Sequence, residues 1–293
     1  MANEDRSVKT GNTKTIGLVC ADSSDIYLAK AIYFIERQLR ANDYNSILCC
    51  SGYELNNKQG SLQLLEGQRV DGLILIGSSY IYDRDEDNKY IQDTALSMPV
   101  MLLNATLDTP NVYSVVTDDF TSMYEATNHM IASGVEDILY FYNSVSYSGR
   151  KKLAGYLKAM EEHNLKPMRE FYSGSNEDIP AMTECLNRFD AFNSVGDSRP
   201  FHGVIAADDA LALAAVKYAM ANGRTIPDDL SIIGCNNSLL VNCCDPELTS
   251  IDNKLETMCR RLVDALMDVL AGKEAPQNTV ISGELITRGT TQS

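Results

Sequence analysis

The alternation of short apolar runs with helical patterns constrains the fold of this chain more than any other feature. "TIGLVCA" (15–21), "SILCC" (46–50), "GLILIG" (72–77), "PVMLLN" (99–104) and "VYSVV" (112–116) form a first set of runs. "DILYFY" (137–142), "REFYS" (169–173), "GVIAA" (203–207) and "LSIIG" (230–234) form a second, and "TVISGELI" (279–286) reads as one last strand. Between them, apolar residues recur at helical spacing. Leu28, Ala31, Ile32, Ile35 and Leu39 mark the first helix, and a helical stretch surrounds Leu62 and Leu65. A "TDD" capping signal at 117–119 opens a helix ending near Gly134, and further patterns cover 150–164, 178–192, 209–222 and 254–271. The strand runs are nearly continuously apolar, which predicts burial on both faces. That is the mark of parallel strands covered by helices.

Two such sets predict an α/β fold of two doubly wound parallel-sheet lobes. No low-complexity linker divides them, so the crossings between lobes are short and a cleft lies between. The expected division is 1–14 as a leading segment, 15–116 plus 252–276 as the N-terminal lobe, and 117–251 plus 277–293 as the C-terminal lobe. Ligands of open parallel sheets bind beyond the carboxyl ends of the strands. Two facing lobes place those ends around one cleft.

Composition removes several functions. The 293 residues carry a net charge of −15, which argues against a broad phosphate-binding surface. No apolar run approaches the roughly 20 residues that span a bilayer, and the N-terminus lacks a secretory h-region and cleavage site. The expectation is a cytoplasmic chain without a membrane partner. Eight cysteines read as reduced, small hydrophobes. Cys49–Cys50 and Cys243–Cys244 are adjacent pairs and not CxxC, and His129, His163 and His202 lack HxxxH spacing, so a metal site has little support. "DRDEDNK" (83–89) reads as a charged loop leading into a helix. There is no GxGxxG after the first strand, no Walker loop and no GxSxG elbow. No catalytic constellation and no cofactor are expected, and the chain reads as a non-enzyme.

Several ordered motifs together resemble the LacI/GalR transcriptional regulators across nearly the whole chain. "GVIAADDALALAAVKYAMANGRTIPDDLSIIGCNN" (203–237) is the most specific, and is similar to the family's strand–"AAND"–helix–"IPxDxSxxGxDD" pattern. "IGLVCADSSDIYLAKAI" (16–32), "RVDGLILIG" (69–77), "SVVTDDFTSMYEATNHMIASG" (114–134), "SGRKKLAGYLKAM" (148–160) and "LTSIDN" (248–253) follow in the expected order. "DRSVKTGNTKTIG" (5–17) resembles the basic segment that joins the family's DNA-binding helix-turn-helix to its effector domain. The resemblance therefore implies an effector-binding core that homodimerises and acts on DNA through a headpiece absent from this chain. A solute-binding protein of an ABC transporter shares the two-lobed fold and is the competing reading.

By the resemblance, the small-molecule effector contacts fall on Ser24, Tyr27, Asn104, Ser148, Lys152, Asp208 and Asn236. Hydroxyls, amides and a carboxylate with one cation suit a polyhydroxylated or nucleobase-like ligand. Lys152 stands where sugar-binding members use Arg, which loses the planar donor fork. Asp208 and Asn236 exchange the family's amide and carboxylate, and Asn104 replaces a common Asp. Each position also has a plainer role. Asp208 or Asp209 would cap the helix at 209–222, with Asp209 the favoured cap. Tyr27 would pack in the core, and Ser24 and Ser148 would finish turns.

Overall fold

The computed structural model describes residues 12–193 and 200–292. The leading segment expected over 1–14 lies outside the described residues as far as residue 11. The first lobe contains β1 (Thr15–Cys20), α1 (Ile26–Ala41), β2 (Asn45–Cys50), α2 (Leu55–Gly67), β3 (Gly72–Ile76), α3 (Lys89–Ala95), β4 (Val100–Leu103) and β5 (Val112–Thr117). The second contains α4 (Asp119–Ala132), β6 (Ile138–Tyr142), α5 (Tyr147–Glu162), β7 (Met168–Phe171), α6 (Ile179–Asn193), β8 (Gly203–Ala206), α7 (Asp209–Ala221), β9 (Ser231–Cys235) and β10 (Thr249–Asp252). The chain then returns through α8 (Leu255–Leu270) and ends in β11 (Asn278–Ile281) and β12 (Glu284–Ile286).

Each lobe is one six-stranded sheet. The orders are β11-β5-β4-β3-β1-β2 and β12-β10-β9-β8-β6-β7, so the two sheets match position for position. All pairings are parallel except β10 with β12. The two-sided burial has a direct signature in the first sheet. Leu18, Ile74, Ile76, Met101 and Leu103 pack under α1 and α8. Their chain neighbours Val19, Leu73, Leu75, Val100 and Leu102 pack on the opposite face. Strand side chains alternate faces, so a strand buried on both must be apolar throughout.

The helices meet the sheets along the stripes that their sequences display. Asp25 caps α1 by accepting from the Leu28 N–H at 2.9 Å, and Leu28, Ala31, Ile35 and Leu39 are its buried face. That face packs against α8, where Met258, Cys259, Leu262, Val263 and Leu266 are buried. Asp118 caps α4, and Gly134 follows that helix at a φ of +93°, a left-handed position that glycine takes without strain.

Two expectations are corrected. The run 279–286 is two strands, not one. Asn278–Ile281 pairs with β5 in the first sheet, and Glu284–Ile286 pairs antiparallel with β10 in the second. The last crossing between lobes therefore lies at Ser282–Gly283, and not ahead of Asn278. "SILCC" is also not buried on both faces. As β2 it is the edge of the first sheet, with Ile47, Leu48 and Cys50 exposed. All eight cysteines are unpaired; Cys20, Cys185, Cys235 and Cys259 are buried, whereas Cys50 and Cys243 are exposed.

Candidate functional site

The carboxyl ends of β4 and β9 are built alike. Each strand runs into an asparagine with left-handed backbone, Asn104 at φ +66° and Asn236 at φ +100°. The Asn104 N–H donates to Val115 O and the Asn236 N–H to Ile251 O, both at 2.9 Å. Asparagine tolerates this backbone better than other residues with a Cβ, which gives the two positions a conformational reason to be amides. Because β4 and β9 are equivalent strands, the two turns face each other across the interlobe cleft.

These amides line a cavity of about 160 Å³ between the lobes, together with Tyr27, Ser148, Lys152 and Asp208. Six of the seven residues expected at the site thus share one chamber. Ser24 does not line it. Its N–H and Oγ both donate to Asp22 Oδ1, at 2.9 and 2.8 Å, and it lies on the wall of a larger outer chamber. Asn104 Nδ2 donates to the Tyr27 hydroxyl, whose burial pushes its pKa well above the ordinary value. Tyr27 also packs against the core of the first lobe, so it both fills core space and lines the chamber.

Asp208 likewise has two roles. One oxygen caps α7 by accepting from the Leu211 N–H at 2.9 Å. The other accepts from Asn143 Nδ2 at 2.7 Å inside the chamber. Asp209, the favoured cap, is not one. It points to the neighbouring strands and accepts from Ser250 Oγ and the Ser238 N–H, both at 2.6 Å. Only the residue with extended backbone ahead of the helix can turn its side chain onto the first free N–H groups, and that residue is Asp208.

Lys152 is held inside the protein. It is 9 % exposed, and Nζ donates to Ala207 O at 2.9 Å. Burial works against the ammonium, but the surrounding negative field of Cys235, Asp119 and Asp208 outweighs it and raises the pKa. Burial also pushes the Cys235 thiol up to about 11, so at neutral pH the charges answering Lys152 are the two carboxylates. Burial raises both of those carboxyls as well, against the opposing pull of Lys152.

The sequence reading missed Asp25, Asn143, Asn176 and Asn253. Asn143 Nδ2 donates to Asp208 and also to Asn176 Oδ1 at 2.9 Å, and Asn176 Nδ2 donates to Asp25 Oδ2 at 3.1 Å, completing a polar line from lobe to lobe. Asn253 Nδ2 donates to Asn236 Oδ1 at 2.9 Å. Asn143 and Asn253 directly follow β6 and β10, so their place at carboxyl strand ends was the available signal. The buried Oδ1 atoms of Asn104 and Asn253 accept no hydrogen bond from any described residue. A buried acceptor without a donor costs about 1–3 kcal/mol, so both amides hold unmet hydrogen-bonding capacity beside the chamber. Ser78 to Ser146 (2.8 Å), Thr106 to Tyr147 (2.9 Å) and Arg150 to Asp83 (2.7 Å) bridge the lobes around the chamber. A more apolar groove of about 740 Å³ runs along α1 beside Tyr33, Phe34 and Leu239, sharing Tyr27 and Asn236 with the chamber but not reaching Lys152. Among the described residues, no group of three or more His, Cys, Asp and Glu side chains is placed to hold a metal ion.

Comparison with known proteins follows this architecture. The periplasmic binding protein-like domain family matches residues 127–291, more than half of the chain. An HTH-type transcriptional regulator of Lachnoclostridium phytofermentans is 43% identical over 98% of this chain and 84% of its own length. The HTH-type transcriptional repressor PurR of Mannheimia succiniciproducens is 27% identical over 97% of this chain and 83% of its own. Among solved structures, the lac repressor dimer bound to operator and the anti-inducer ONPF superposes with a TM-score of 0.80 at 20% identity, covering 95% of this chain and 94% of that one.

Proposed function

Because the chain belongs to the LacI/GalR family of transcriptional regulators, we propose that it is the effector-binding and dimerisation core of such a regulator. The effector is a small polar metabolite, sugar-like or nucleobase-like, held between the lobes. The observation that carries this reading is the pair of facing asparagine turns, which close a small polar chamber lined by amides, hydroxyls, carboxylates and one ammonium. Lys152 adds little attraction for an anion, since Asp119 and Asp208 already answer its charge. Ligand binding favours one arrangement of the lobes, and the change reaches DNA through a headpiece outside these 293 residues. The start of the described chain is well placed to pass it on. Asn12 donates to the Tyr44 hydroxyl at 3.0 Å and the Thr13 N–H to Asp71 at 2.9 Å, which ties the segment to the first lobe.

The family's regulators are not enzymes, and the transporter reading is not favoured by relatives that are HTH-type regulators. Among the described residues no helix is long and apolar enough to cross a membrane. A cytoplasmic location is part of this proposal.

Calorimetry against sugars, nucleobases and phosphorylated metabolites tests the site. Asp208→Ser keeps a helix cap, and Asn236→Gly keeps the left-handed backbone, so both variants should fold. Each should weaken binding by about 1–2 kcal/mol, or roughly five- to thirtyfold. Wild-type affinity in both variants would place the site elsewhere.

Dimerisation has support in apolar side chains left open on both lobes, Ile47 and Leu48 on the edge strand β2 and Phe192 and Met220 on α6 and α7. Sedimentation should find a dimer at micromolar concentration. A monomer at concentrations well above those in cells would count against it.

A further inference from the structure

The strands β1 and β2 end together, with Cys20 and Cys50 paired in register. Paired residues of neighbouring strands project to the same face, and here the two sulfurs lie 3.8 Å apart. Neighbouring strands are spaced about 4.8 Å, inside the roughly 4.4–6.8 Å between Cα atoms that a disulfide spans. Side-chain rotation therefore brings the two sulfurs together without moving the sheet. Cys49 cannot replace either one. It packs on the opposite face with Val19 and Leu73, whereas Cys20 packs with Leu18 under α1.

The two thiols differ as an attacking and a resolving sulfur must. Cys50 is exposed on the sheet edge, and Cys20 is fully buried. Burial, and then the hydrogen bond with Cys50, push the Cys20 thiol up to about 12, so it stays protonated at neutral pH. Access and thiolate character govern oxidation, which makes Cys50 the sulfur that meets an oxidant. The pair also sits at the root of the cleft. The Ser51 N–H donates to Cys20 O and the Gly52 N–H to Ala21 O, both at 2.9 Å. These bonds join the turn after β1, which brings Asp22 and Asp25 to the chamber walls, to the turn after β2, which brings Tyr53.

We propose that Cys20 and Cys50 are a reversible oxidation site, closed to a disulfide by hydroperoxides. The Cys50 thiolate attacks the terminal peroxide oxygen and the O–O bond breaks. The departing oxygen takes the proton that Cys50 gave up and leaves as water or an alcohol, and Cys50 becomes a sulfenic acid. The Cys20 sulfur then attacks the sulfenic sulfur, and the displaced hydroxide leaves as water with the Cys20 proton. The two thiols have lost two electrons and the peroxide has gained them. A dithiol reverses the change by thiol–disulfide exchange and is itself oxidised. The closed bond clamps the two turns together and stiffens that wall of the cleft.

The test treats the reduced, folded protein with hydrogen peroxide or tert-butyl hydroperoxide, then maps peptides by mass spectrometry without reductant. The expected product is a Cys20–Cys50 link within one chain, two hydrogens lighter than the dithiol, that dithiothreitol removes. Before oxidation, iodoacetamide should alkylate Cys50 at least roughly tenfold faster than Cys20. Cys50→Ser should abolish the link and Cys49→Ser should leave it intact. Amide hydrogen exchange over residues 21–25 and 51–54 should slow roughly tenfold in the oxidised protein and recover on reduction. Peroxide treatment that yields no such link would overturn the site. So would a covalent dimer through Cys50, which shares its edge strand with Ile47 and Leu48. A link that leaves the exchange unchanged would overturn the clamp.

Discussion

Lys152→Met is expected to lower the unfolding free energy by about 3 kcal/mol at pH 7, because buried carboxylates then lose the charge that offsets them. The sequence suggests the opposite, because a cation on a cleft wall faces water when no ligand is bound and its removal leaves stability nearly unchanged. The structure decides between the two. Lys152 is 9% exposed, its ammonium is bound to Ala207 O, and Asp119, itself buried, lies within its field. Removing the cation takes away the larger of the two charges that offset that carboxylate in a poorly solvated site, leaving only the weaker pull of Lys151. Adding Asp119→Asn should recover a large part of the loss, with a coupling of about 1–3 kcal/mol between the two changes. Urea unfolding of the wild type, both single variants and the double variant gives the cycle. A loss below about 1 kcal/mol in Lys152→Met would show that the residue is a solvated charge after all.

Asp209 gives the second large effect, which depends on pH. Its side chain is nearly fully buried between α7 and the strands β9 and β10, and burial lifts its pKa from the ordinary 3.8 to about 6 despite hydrogen bonds from Ser250 and Ser238. The contact leaves room for nothing else, since a Cβ at Gly234 would come within 2.4 Å of Asp209 Oδ1. A carboxyl whose folded pKa is raised contributes its stability in the protonated form. That contribution is full below the unfolded pKa of 3.8 and is lost as pH rises through about 6. Asp209→Asn cannot ionise, so the wild type should lose about 2 kcal/mol relative to it between pH 4 and 7. Comparing the two proteins cancels every other titrating group. Any offset from one amide oxygen replacing two carboxylate oxygens is constant with pH and drops out of the comparison. A difference that stays flat over that range would mean Asp209 is ionised throughout.

Much of the architecture was present in local sequence. The apolar runs located the strands because a strand covered on both faces has no solvent side on which to place polar residues, as Leu18 and Val19 illustrate on opposite faces of β1. The stripe of α1 and the caps at Asp25 and Asp118 were equally local, each set by residues within a turn of one another. The resemblance to known regulators added the order of the motifs and, through it, six residues that share the inner chamber.

What the sequence could not specify depended on which elements became neighbours. "SILCC" reads like a central strand, yet its place at the sheet edge leaves Ile47 and Leu48 open, and edge position is a property of strand order. The run 279–286 reads as one strand, but its halves find partners in different sheets because the chain crosses between lobes at Ser282–Gly283. Asp208 and Asp209 are adjacent acidic residues of the same local propensity; backbone direction at the helix start made one a cap and sent the other toward β10. Asn253 and Asn143 entered the site because strand ends distant in sequence converge across the cleft. Periodicity reports whether a residue is covered. The partner that covers it, and therefore its charge state and its part in a site, is fixed only when the two sheets close on each other.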